Sequence, residues 1–142
     1  IIRSAEAFGA AGMLIDERSA DPYSRRAIRV SMGGVFSLPL ARIGYESECK
    51  EALEAAGYTL VGTVADSSVD DLNGYEWPER PALVFGAEGP GLSATWLELC
   101  STKVTIRTNP GTDSLNVGVA AGIFMCAAAS AAASAAASAV IA

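Results

Sequence analysis

Short apolar runs alternate along this chain with stretches of helical periodicity, and that alternation restricts the fold more than any other feature. Residues 12–16 (GMLID), 35–38, 59–65, 81–85 (PALVF) and 103–107 (KVTIR) read as strands. Between them, residues 24–32, 46–56 and 93–100 read as helices, the second stopped by Gly57 as a C-cap. This order predicts an α/β fold: a mostly parallel sheet with helices on both faces. The chain has 142 residues, 51% of them hydrophobic and 18% charged, which suits about one domain with one sizeable core and excludes a disordered chain. Residues 69–79 are acidic and contain Asn73-Gly74, so they read as a surface loop.

Histidine is absent. That removes Ser-His and Cys-His nucleophile arrangements, His-ligated metal sites and the usual neutral-pH general base. Cys49, Cys100 and Cys126 lie far apart without a CxxC pair, so neither a metal site nor a disulfide framework is expected, and a reduced, cytoplasmic compartment fits best. Ile1 and Ile2 lead straight into a helix-like stretch without an initiator Met or a signal peptide, so the chain is expected to start inside a longer protein.

The net charge of −6 excludes a polybasic nucleic-acid arm but is unevenly spread. Residues 1–43 carry Arg3, Arg18, Arg25, Arg26, Arg29 and Arg42 against four acids, a balance of +2, whereas residues 44–102 stand at −9. An Arg-rich third on an acidic body suits a phosphate-bearing partner at one face. It suits ordinary surface ion pairs equally well.

Residues 114–142 carry no charge and end in AAAS repeats, with Ser130, Ser134 and Ser138 one helical turn apart. Ala is the best helix former, so this segment reads as helix. Ala and Ser are too weakly apolar, and the flanks too poor in Lys and Arg, to favour a membrane span. Small residues every fourth position favour close packing, so a helix at a subunit interface, and hence a homodimer, is expected.

Two turns carry the chemistry. Strand 81–85 runs into Gly86-Ala87-Glu88-Gly89-Pro90-Gly91-Leu92-Ser93 and then a helix, the position where open α/β sheets bind ligands. The spacing is not GxGxxG and no P-loop Lys follows, so a dinucleotide or NTP site is disfavoured. Strand 103–107 runs into Thr108-Asn109-Pro110-Gly111-Thr112-Asp113-Ser114-Leu115-Asn116-Val117, with Asp113 or Ser114 as a candidate helix cap. Each turn alone is compatible with plain strand-to-helix connection; two at consecutive strand ends suggest one shared pocket.

Taken together, FGAEGPGLS and IRTNPGTDSLNVGVAAGI resemble the second and third motifs of the SpoU/TrmH family of RNA ribose 2′-O-methyltransferases, within the SPOUT superfamily. IIRSAEAFGAAGMLI resembles the first motif, and the likeness runs on through DPYSRRAIRVSMGGVFSLP, weakening over residues 45–79. The resemblance implies a C-terminal trefoil knot holding S-adenosylmethionine, a homodimer, and methylation of a ribose 2′-hydroxyl in rRNA or tRNA, with no metal and no membrane. The alternative is a knotted module that binds cofactor or RNA without catalysis.

Position by position, the resemblance places Gly86, Gly91, Ile106 and Leu115 at the cofactor and Arg3, Glu88, Ser114 and Asn116 at the reaction. Arg3 falls at the first-motif arginine, beside the target ribose. A guanidinium is a poor base, so a charge clamp on the developing alkoxide is the physically preferred role. Ser114 and Asn116 would orient the hydroxyl, and Glu88 would fix the loops or Arg3. Arg25, Arg26 and Arg29 would contact RNA phosphates. A side chain at Gly86 is expected to push into the space beside the pocket and leave the fold intact. The motif's asparagine would lie before Ile1, and the family's usual upstream RNA-binding domain is not in this chain, so residues 1–142 read as an N-terminally truncated catalytic domain.

Overall fold

The structure, a computed structural model, describes residues 1–109, 111–112, 114–132 and 139–141. Among them, seven strands form one sheet: β1 (Gly12–Ile15), β2 (Leu40–Arg42), β3 (Thr59–Thr63), β4 (Asp70–Asp71), β5 (Pro81–Val84), β6 (Thr102–Thr105) and β7 (Ala139–Ile141). Their order is β2-β1-β7-β5-β3-β6-β4 and every neighbouring pair is parallel. The helices are α1 (Ile2–Ala7), α2 (Arg25–Val30), α3 (Glu46–Ala55), α4 (Ala94–Leu99) and α5 (Val117–Ala132).

Parallel strands need crossovers that cover the sheet, so a central strand must be apolar on both sides. In β5 all four residues are buried, and alternation divides its segment between two cores. Leu83 and Phe85 join Ala5, Phe124 and Met125 of α1 and α5 on one face. Ala82 and Val84 join Leu53 of α3 and Trp96 of α4 on the other. Phe124 meets Phe85 edge-on at 6.1 Å between ring centroids and is fully buried. Burying a side chain of that size stabilises the fold by about 1.5–3 kcal/mol, and it fixes the end of β5 just before Gly86.

Local signals set the helix ends. Ser24 Oγ accepts from the Ala27 amide at 3.3 Å and Ser93 Oγ from the Trp96 amide at 3.2 Å, each satisfying an otherwise unpaired donor. Gly57 takes φ 80° after α3, while the Gly57 and Tyr58 amides donate back to Glu54 and Leu53. Gly62 lets α4 approach the sheet, because a Cβ there would lie 3.1 Å from Cys100 Sγ. Burial, partly opposed by Lys103 and Lys50, pushes the Cys100 thiol up to about 11 and keeps it out of thiolate chemistry.

Four expectations need correction. Residues 35–38 are not a strand: a 3₁₀ turn occupies Gly34–Phe36, entered through Gly33 at φ 82°. The strand is β2, beyond Pro39, whose carbonyl accepts from the Met13 amide. The apolar run looked strand-like because Val35 and Leu38 are both buried, with the turn rather than a pleat placing them. The last internal strand begins one residue earlier and ends two earlier than expected, at Thr102–Thr105. The acidic segment contains the short edge strand β4, where charged residues are tolerated because one side faces solvent. Helix does not run from residue 114 to 142. α5 spans Val117–Ala132, and backbone at Ala139–Ile141 pairs on both sides, with β1 and β5. Unpaired backbone groups between two central strands are costly, and that slot outweighs the helical propensity of the tail. Residues 133–138, and with them Ser134 and Ser138, lie outside the described residues. A knot is not visible among the described residues, and no helix there is long and apolar enough to cross a membrane.

Candidate active site

A cleft of about 840 Å³ opens at the carboxyl ends of β1 and β5, where the strands diverge into loops and amides point outward. Arg3 on α1, Arg26 on α2, Gly86, Glu88 and Gly91 after β5, and Asn116 at the start of α5 all line it. Its floor is apolar, made by Met13, Ile15, Phe85, Leu92, Val117 and Trp96. An apolar floor with a few polar groups at the rim is the general form of a small-molecule site.

The turn after β5 is closed on itself. Ala87 and Gly91 exchange amide–carbonyl bonds of 3.1 and 2.9 Å, with Gly89 at φ 88° and Gly91 at φ 73°. Gly86 is required at the neck of this loop, because a Cβ there would sit 2.0 Å from the Gly91 carbonyl carbon and 2.2 Å from the Leu92 nitrogen. The expected effect of a side chain at Gly86 is therefore redirected: it collides with the loop's own backbone before it reaches the pocket.

Asn116 connects the second loop to the first. Its Oδ1 accepts from the Gly118 and Val119 amides at 2.9 and 3.3 Å, capping α5, and its Nδ2 donates to Glu88 Oε1. The α5 cap is thus Asn116 rather than Ser114, while Asp113 and Pro110 lie outside the described residues. Glu88 bonds Asn116 of the second loop and makes no bond to Arg3.

Arg3 is exposed at the rim and makes no ion pair or side-chain hydrogen bond among the described residues. Its backbone is nonetheless fixed, since Ala5 of the same helix is fully buried in the core. The cleft therefore has a positive group whose position is held and which forms no ion pair among the described residues.

Five candidates lie outside the cleft lining. Ile106 packs partly buried against the core, Leu115 is half-buried and Ser114 is exposed. Arg25 and Arg29 are exposed on α2 and outside the lining to which Arg26 and Val30 contribute. The sequence reading in turn missed the loop after β1, where Asp16, Arg18, Ser19, Asp21 and Pro22 form one wall. Asp16 Oδ1 accepts from the Arg18 and Ser19 amides at 2.8 Å each, a turn that Asp favours for this reason. Glu46 at the start of α3 accepts from Arg18 Nη2 at 2.9 Å and from Ser93 Oγ at 3.1 Å, joining this wall to the Gly-rich loop. The strand-end argument applied to Gly86 applies equally after Ile15, and that was the available signal.

The sequence matches the family model described as the SpoU rRNA Methylase family over residues 1–126. It is 37% identical over 125 residues to the 23S rRNA (uridine(2479)-2′-O)-methyltransferase of Streptomyces viridochromogenes, covering 85% of this chain and 44% of that protein. It is 39% identical over 126 residues to the 23S rRNA (adenosine(1067)-2′-O)-methyltransferase of Streptomyces laurentii, covering 87% and 46%. Its fold matches the crystal structure of the SpoU methyltransferase AviRb from Streptomyces viridochromogenes in complex with the cofactor AdoMet, with a TM-score of 0.84 at 34% identity, covering 94% of this chain and 55% of that one. The chain thus spans about half the length of these relatives. The motifs that line the cleft fall within the matched span, and the chain belongs to the SpoU rRNA methylase family.

Proposed function

We propose that this chain is the catalytic domain of an S-adenosylmethionine-dependent RNA ribose 2′-O-methyltransferase, acting on rRNA or tRNA in the cytoplasm. The observation that carries the reading is the convergence of Arg3, Gly86, Glu88 and Asn116 from three separate segments onto one apolar-floored cleft. The cleft volume suits a nucleoside-sized ligand. Backbone around Gly86 and Gly91 would hold the adenine edge, against the apolar floor; Ile106 and Leu115, from the third loop, are carried by the family resemblance alone. The cofactor, when bound, supplies an electrophilic methyl group. In the same reading the C-terminal segment forms a trefoil knot, and an RNA-binding domain lies upstream in the longer protein.

The chain's own residues then have separable tasks. Arg3 places a positive charge, without an ion pair among the described residues, at the rim, where a ribose hydroxyl becomes anionic as its proton passes to solvent water, and a preorganised charge stabilises that state more than the neutral hydroxyl. One Nδ2 hydrogen of Asn116 serves Glu88, and the other is available to orient the hydroxyl, with Ser114 nearby in sequence on the same loop. Arg25, Arg26 and Arg29 are exposed and unpaired among the described residues, and they hold substrate phosphates.

The domain works as a homodimer. A shallow groove between α1 and α5 is lined by Phe8, Leu72, Val119 and Ile123 with no charged residue, an apolar surface suited to a second copy. Sedimentation velocity at micromolar protein is expected to show a dimer, and a single monomer boundary would refute it. Calorimetry with S-adenosylhomocysteine tests the cofactor site directly. One binding event per chain is expected, and the absence of heat and of any competition with S-adenosylmethionine would remove the assignment.

A further inference from the structure

A second patch, formed by residues outside the cleft lining, is not used by the proposal above. Tyr23, just before α2, and Phe36, in the 3₁₀ turn, are 54% and 70% exposed, with ring centroids 6.4 Å apart and planes tilted by 40°. Both sit on fixed backbone: the Tyr23 amide donates to Asp21 Oδ1 at 3.1 Å and the Phe36 amide to the Gly33 carbonyl at 2.9 Å. Met32, 76% exposed, lies between them in sequence and holds φ 54°, in the left-handed region that a side chain enters only at a cost. A soluble domain rarely leaves such a group uncovered without a partner.

We infer that Tyr23 and Phe36 form a stacking platform for unpaired bases of the RNA strand next to the target nucleotide, with Arg25 and Arg29 holding the flanking phosphates. The inference rests on the RNA reading of the cleft and adds to it the form of the RNA and where it lies. Charge decides the class of partner. Arg25 and Arg29 follow Tyr23 in sequence on α2, exposed and without ion pairs among the described residues, and a two-fold contact between copies would turn each patch, arginines included, onto itself. A polyanion is attracted by the same charges. The rings decide its form, because exposed aromatics accept splayed bases, whereas a duplex keeps its bases stacked inside. Continuity decides direction: Arg26 and Val30 of α2 line the cleft, and a helix about 10–12 Å across is spanned by a few nucleotides.

The test is fluorescence anisotropy of a labelled single-stranded oligoribonucleotide of about 20 nucleotides, and of the same sequence as a duplex, against the 142-residue chain. Phe36→Ala and Tyr23→Ala are each expected to weaken single-strand binding by roughly 5- to 100-fold, the range for losing one stacked base, with an unchanged salt slope, an unchanged unfolding midpoint and unchanged duplex binding. Phe36→Trp is expected to restore affinity. Arg29→Ala should instead lower the salt slope by about 0.7. If the unaltered chain binds neither RNA while still binding S-adenosylhomocysteine, the platform is overturned and the reading of the cleft stands; if it binds neither RNA nor S-adenosylhomocysteine, that reading falls and the platform with it. If it binds and the two alanine variants bind equally well, the platform alone is overturned. Loss of self-association in those variants, with RNA affinity unchanged, would give the patch to a second copy and overturn it too.

Discussion

Arg3→Ala is expected to slow methyl transfer by roughly 100- to 1000-fold while S-adenosylhomocysteine binds as before. A preorganised charge aimed at a developing anion typically contributes about 2.7–4 kcal/mol to the barrier, which converts to that range. Cofactor affinity is spared because Arg3 stands at the rim of the cleft on α1 and makes no bond to the Gly86–Gly91 loop. Stability is spared because the side chain is exposed while its helix is anchored through Ala5. Arg3→Lys keeps the charge but loses the planar fork, so a partial rate is expected. Single-turnover methylation at saturating RNA and cofactor is the measurement, since it removes capture from the comparison. A near-normal rate in Arg3→Ala there would transfer the clamp to another group.

Substitution at Gly86 is expected to have the largest effect on cofactor binding, and its size series tests the cause. A Cβ at this position meets the Gly91 carbonyl carbon at 2.0 Å and the Gly91 oxygen at 2.3 Å, both backbone atoms that cannot rotate away. The loop must open, breaking the Ala87–Gly91 pair and moving Leu92, which is buried against the sheet. A loss of about 100-fold in affinity corresponds to the upper part of the usual cost of overpacking, about 3 kcal/mol. Gly86→Ala and Gly86→Val should then be nearly equal, because the first carbon already collides. If Ala is tolerated and only Val is harmful, the side chain is instead intruding on the pocket. Gly91→Ala gives the scale for strain alone: it has open space but φ 73°, so about 1 kcal/mol, or roughly fivefold, is expected there. Calorimetric titration with S-adenosylhomocysteine reads all three.

Both variants touch features that the sequence displayed to different degrees. The need for glycine at residue 86 was legible from its place at a strand end, but the atom it must avoid was not, because Gly91 returns to it only through the folded loop. The tie between Glu88 and Asn116 spans 28 positions and leaves no periodic trace. Arg18, Glu46 and Ser93 are likewise joined across separations of 28 and 47 positions. Residues 35–38 misled because a buried Val35 and Leu38 can be placed by a tight turn as well as by a pleat.

What the sequence determined alone is what nearest neighbours along the chain can enforce. Apolar runs broken by amphipathic segments dictated a parallel sheet covered on both faces, and Ser24, Gly57 and Ser93 set helix ends through bonds within a few residues. The glycine-rich turns marked the strand end that carries a site. Tertiary structure alone decided which strand lies beside which: β7 enters between β1 and β5 although its segment is rich in helix-forming alanine. It also decided which charges are unpaired, and that Arg3, Gly86 and Asn116 share one cleft while Tyr23 and Phe36 share another face. Pairing, burial and charge balance depend on distances between residues remote in sequence, and only the closed fold sets those distances.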